Sequence, residues 1–93
     1  MSDVIGDVRS ASREVLDLAI AYEPGQPINR QRIAVLRSRL DELAARLQPM
    51  TGHDADGAQI SLTDAYMDLD WIESGGLIPT SIRLDLARRG AGR

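Results

Sequence analysis

The 93-residue chain contains no cysteine, no phenylalanine and no lysine, and only one tryptophan and two tyrosines. Without cysteine it has no disulfide framework, no thiolate nucleophile and no cysteine-held metal. With so few rings, any core is aliphatic, drawn from Leu, Ile, Val and Ala, a choice that suits packed helices. All 11 cations are arginine, the codon signature of a GC-rich bacterial genome. No apolar run approaches the roughly 20 residues that span a bilayer. The opening "MSDVIGDVRSASRE" carries acids where a cleaved signal would carry a basic flank and an apolar stretch. The expectation is a cytoplasmic protein without a membrane segment, and one small domain over 1–93.

What is present is a heptad pattern. Met1, Val4, Val8, Ala11, Val15, Leu18 and Tyr22 follow the 3,4 spacing of a helical stripe, with Ser2 as the expected N-cap and Pro24-Gly25 as the stop. Ile33, Leu36, Leu40, Leu43 and Leu47 repeat that spacing behind Asn29 as N-cap, with Ile28 and Ile33 placed as a hydrophobic staple and Pro49 as terminator. The link "EPGQP" is short and stiff, so residues 1–48 form an antiparallel helical hairpin.

The charges test that hairpin separately. With Val8, Val15, Ile33, Leu40 and Leu47 at seam positions, Asp7 faces Arg46 and Glu14 faces Arg39 across the seam. Helix 1 also carries Ile5, Leu16, Ala19 and Ile20 beside its stripe, too much apolar surface for one neighbour. It is therefore expected to be central.

Residues 49–60 read as a loop, and 61–90 as one or two short C-terminal helices. The first opens at a Ser61/Asp64 capping box and ends at Gly75-Gly76; the second opens at Thr80 or Ser81 and closes at Gly90; 91–93 form a frayed tail. The fold class is all-α: a helical hairpin plus these helices in a small bundle. In the first short helix Leu62, Ala65, Tyr66, Leu69 and Ile72 share a face, with Met67 and Trp71 nearly opposite.

Candidate sites are few. "TGHDADGAQISLTD" has Asp54, Asp56 and Gly57 in the spirit of a calcium loop, but Gly52 stands where the first ligand belongs and Thr63 where a bidentate Glu belongs. His53 is the sole histidine, with no second His or Cys to build a transition-metal site and no nucleophile elbow around any serine. No metal, cofactor or catalytic residue is expected. "LRSRLDELAARL" resembles the opening helix of the small all-helical chorismate mutases, but that family uses a pocket lysine, absent here. "YMDLD" resembles the Y-x-x-x-[DE] pattern of small helical-hairpin export substrates, whose W-x-G turn is missing.

The reading left is a non-enzymatic interaction or regulatory module that binds a larger protein partner. Met67 and Trp71 are expected either to be covered by Ile78, Ile82 and Leu86 of the last helix or to form the partner-binding patch, rimmed by Asp64 and Asp68. The alternative is a small nucleic-acid-binding regulator using the arginines of helix 2 or of the C-terminal segment, against a net charge of -3 and a pI near 5.0. A homodimer is expected through Ile5, Leu16 and Ile20, because a three-turn third helix would leave that flank bare.

Overall fold

A computed structural model describes residues 3–91, as four helices joined by short links: α1 Val4–Ala21, α2 Arg30–Leu47, α3 His53–Glu73 and α4 Ile82–Ala91. The structure is all-α, and α1 packs against each of the other three. The N-cap of α1 is Asp3, whose carboxylate accepts from the Gly6 N–H at 3.1 Å. Ser2, the expected cap, lies outside the described residues. Asn29 caps α2 as expected, accepting from the Arg32 N–H at 3.1 Å.

The hairpin register is the one the charges specify. Glu14 meets Arg39 at 3.1 Å and Arg46 lies 3.7 Å from Asp7, while Glu14 also accepts from Arg32 at 3.2 Å. These ions are partly exposed, so they select register more than they stabilise. The stabilising term is the seam beneath: Val8, Val15, Ile33, Leu36, Leu40, Leu43 and Leu47 are buried.

The third helix departs from the sequence reading. It begins at His53, so the loop expected over 49–60 ends at Gly52, and Ser61 and Asp64 lie inside the helix rather than at its cap. The reason is tertiary. Ala55, Ala58, Leu62 and Ala65 recur at helical spacing and are buried, and small residues let α3 approach α1 closely at Ala11 and Ser12. Ser12 Oγ donates to the Ser61 carbonyl across that contact at 3.3 Å. Asp54 and Asp56 occupy the first turn, where the helix dipole favours acids, and this offsets the roughly 1 kcal/mol cost of Gly57 in the helix.

The exit from α3 follows its sequence. The Gly76 N–H returns to the Trp71 carbonyl and the Gly75 N–H to the Ile72 carbonyl, both at 2.9 Å, the paired bonds of a Schellman ending. Gly76 has φ 85°, and a side chain there would meet the Pro24 ring at 2.9 Å. Glycine thus brings the start of the α3–α4 link against the α1–α2 turn. Ser81 opens α4, its hydroxyl accepting from the Leu84 N–H at 3.2 Å.

Candidate interaction surface

α4 has ten residues and little apolar area of its own; Leu84 is fully buried and Ala87 partly so. Two polar anchors hold it. At its start, Asp68 of α3 is completely buried; it accepts from the Ser81 hydroxyl through one oxygen and from Arg83 at 2.5 Å through the other. At its far end, the Arg88 guanidinium lies 4.5 Å from the centre of the Trp71 ring and donates to the carbonyls of Ala19 at 2.8 Å and Tyr22 at 2.6 Å. The last turn of α1 holds no basic residue, so Arg88 supplies from another helix the cation that the negative end of a helix attracts. Tyr22 completes the cluster edge-on to Trp71, with ring centres 5.5 Å apart.

These contacts divide the expected partner-binding patch. Trp71 and Asp68 are buried within the chain and take no part in its surface, while Met67 remains exposed and Asp64 half-buried. Trp71 is covered, but not by the side chains expected to cover it. Ile78, Ile82 and Leu86 are exposed, and the contacts to the ring come from Arg88 and Tyr22. Cation–π and edge contacts of this kind leave no trace in hydrophobic periodicity. A signal was nonetheless available: Leu84, Ala87 and Arg88 share one face of the last helix, and Ile82 and Leu86 share the other.

The expected dimer interface is also revised. Leu16 is 7% exposed within the single chain, and Ile5 and Ile20 are partly buried against its core. The premise of a three-turn third helix fails, since α3 has 21 residues and α4 adds a further contact to α1. The flank expected to await a second copy is closed intramolecularly at Leu16.

The other singled-out residues take simple positions. His53, Asp54 and Asp56 are exposed in the first turn of α3, so the calcium-like spacing lies on a helix and not on a ligand loop. Among the described residues no group of three His, Asp or Glu side chains converges to hold a metal ion, and no helix is long and apolar enough to cross a membrane. Along α2, Arg32, Arg37, Arg39 and Arg46 all face carboxylates of α1 or α3. Arg37 bonds Asp70 at 2.9 Å and also Glu73; burial acts to lower its pKa, but those hydrogen bonds and charges outweigh burial and raise it.

Tyr66, the tyrosine of the "YMDLD" stretch, donates to Asp41 of α2 at 2.5 Å. Burial, and then that hydrogen bond and the Asp41 charge, push its phenol up to about 12. The neutral phenol is thus favoured by folding, and the sign of the effect follows. Its contribution is complete below the unfolded value of about 10 and is lost as pH rises through about 12. The difference in phenolate absorbance between wild type and Tyr66→Phe is expected to titrate with a midpoint about two units above that of free tyrosine. A midpoint near about 10 would show that the Tyr66–Asp41 contact does not persist in solution.

Two of the uncovered surfaces among the described residues stand out. One runs through the α3–α4 link onto the outer face of α4: Leu77 is 88% exposed, Ile82 78% and Leu86 60%, with Ile78 beside them in sequence. The other is an open groove of about 430 Å³ between the end of α2 and the start of α3, floored by Ala44, Ala45 and Ala55 and bordered by Met50, Asp56 and Gln59. No protein-family model, curated protein or solved structure matches this chain.

Proposed function

We propose that the protein is a non-enzymatic interaction module that docks on a larger protein partner through the outer strip of Leu77, Ile78, Ile82 and Leu86. The observation that supports this reading is the strip itself. A ten-residue helix held by one buried salt bridge and a cation–π contact turns two of its three large aliphatic side chains, Ile82 and Leu86, into water. Leaving an aliphatic side chain exposed forgoes roughly 1.5 to 3 kcal/mol, and burial against a partner recovers it. The size of the strip favours a larger protein over a second copy. Four side chains fall well short of the roughly 800 Å² per partner of a stable two-fold interface, whereas a larger protein can extend the contact around them.

The arginines weigh against the nucleic-acid reading, because four of the five along α2, Arg32, Arg37, Arg39 and Arg46, are engaged with carboxylates and the chain as a whole is acidic.

The test is in-cell crosslinking of wild type and of Ile82→Glu/Leu86→Glu, both exposed positions whose change leaves the core intact. Wild type is expected to give one discrete heavier adduct that the double variant loses. Equal adducts from both would remove the strip from the proposal. Sedimentation equilibrium on the same pair identifies self-association, as a dimer abolished by the double variant. Salt-sensitive binding of wild type to random-sequence duplex would instead favour nucleic acid.

A further inference from the structure

The groove between α2 and α3 lies apart from the 77–86 strip, and its lining is of a different kind. Three of its eight lining residues are alanines, Ala44, Ala45 and Ala55, so a cleft that Met50 and Gln59 also line has room for a bulky side chain. The groove continues onto the outer ridge of α3. Asp56, Ile60, Thr63 and Met67 follow one another at spacings of 4, 3 and 4 and are all exposed, Ile60 at 64%. This is the seam spacing by which α1 and α2 pack on each other, here with nothing packed on it. A ridge of that period is matched by another helix and not by an extended strand.

Charge selects the kind of helix. Between 51 and 76 the sequence holds Asp54, Asp56, Asp64, Asp68, Asp70 and Glu73, and no Arg or Lys. Arg83 neutralises Asp68, and Arg37 neutralises Asp70 and Glu73. Asp56 and Asp64 have no ion pair or side-chain hydrogen bond among the described residues; Asp56 lines the groove, and Asp64 stands beside Ile60 and Met67 on the ridge. Among the described residues no cation lines the groove, and the C-terminal, partially negative end of α2 contributes Leu47 and Gln48 to it.

We propose that this groove and ridge form a second docking site, whose occupant is a basic amphipathic helix of a partner protein. A bulky apolar residue of that helix seats over Ala44, Ala45 and Ala55, its apolar seam follows Ile60 and Met67, and its Lys or Arg residues face Asp56 and Asp64. With the 77–86 strip on another part of the surface, the chain then has two separate contact faces, as a bridging protein requires. The inference does not depend on the strip, and either can fail alone.

The probe is a labelled synthetic helix of about three heptads with Leu at the seam and Lys on its flanks, paired with a counterpart in which Glu replaces every Lys. Fluorescence anisotropy is expected to show the basic peptide, and not the acidic one, bound to wild type. Affinity is expected to fall at least about tenfold in Ile60→Arg and in Asp56→Arg, since each opposes the ligand's charge and removes a contact. Asp17→Arg, which makes the same change in net charge on the outer side of α1, is expected to retain most of the binding, as is Ile82→Glu/Leu86→Glu. Circular dichroism confirms that the variants, all at exposed positions, are folded. Failure of the basic peptide to bind wild type, equal binding of the acidic peptide, or equal losses in Asp17→Arg and Asp56→Arg would each overturn the proposal.

Discussion

Replacing Asp68 with alanine is expected to destabilise the protein by about 3 kcal/mol, a large share of the roughly 5 to 10 kcal/mol available to a domain of this size. The carboxylate is completely buried, and both its oxygens are used, one by Ser81 and one by Arg83. Its removal leaves Arg83, whose side chain is only 22% exposed, without a counter-charge, and deprives the capping hydroxyl of α4 of its acceptor. Because Arg83 can turn toward solvent, the cost falls at the lower end of the range of about 3 to 5 kcal/mol for a broken buried pair. Urea denaturation followed by Trp71 fluorescence measures it. The cause separates from simple loss of packing in a double-mutant cycle: Asp68→Leu with Arg83→Leu is expected to recover most of the loss, since an apolar pair leaves no buried charge behind. A single-mutant cost under about 1 kcal/mol would mean that this pair is not what holds the start of α4.

Trp71→Ala is expected to be at least as damaging, about 3 to 5 kcal/mol, because it empties a site shared by α1, α3 and α4. The indole is buried, meets the edge of Tyr22 and lies under Arg88. Trp71→Phe keeps a ring in place and is expected to cost less than half as much. Arg88→Ala probes the other half of the cluster. It removes the cation over the ring and two charged hydrogen bonds to the end of α1, for an expected loss of about 2 to 3 kcal/mol. Arg88→Lys is expected to recover little, since one ammonium cannot stack flat on an indole and reach two carbonyls in the same geometry. Hydrogen exchange supplies the structural readout. In all three weakened variants the amides of α4 are expected to lose protection before those of the α1–α2 seam. Protection lost uniformly would show that α4 is not a separately anchored element.

The two anchors also account for the surface chemistry. An ordinary amphipathic helix would have turned Ile82 and Leu86 inward and its arginines outward. Here the inward face is Leu84, Ala87 and Arg88, and the specificity of the docking comes from fixed hydrogen-bonding partners on α1 and α3. That choice leaves two aliphatic side chains free for a partner at the outer face, and explains why the more obvious hot spot, Trp71, is not at the surface.

The all-α class, the α1–α2 hairpin and its register belong to the sequence alone. Each rests on interactions between positions whose offset is fixed by helical geometry: the seven-residue spacing of Val8 and Val15 and of Ile33, Leu40 and Leu47, the cap at Asn29, and the matching of Asp7 and Glu14 with Arg46 and Arg39. The start of α3 was decided by tertiary structure. "TGHDADGAQ" has the composition of a loop, and burial of Ala55 and Ala58 in the core overrides it, a gain that exists only once the other helices are packed around them. Tertiary structure also decided which faces meet water. Asp68, Ser81, Arg83, Trp71, Arg88 and the α1 carbonyls are far apart in sequence, and their hydrogen bonds and ring contacts depend on angles and distances that no periodicity encodes. For that reason hydrophobic pattern alone leaves Trp71 either in a surface patch or beneath Ile78, Ile82 and Leu86, while the folded chain buries it against Arg88 and Tyr22.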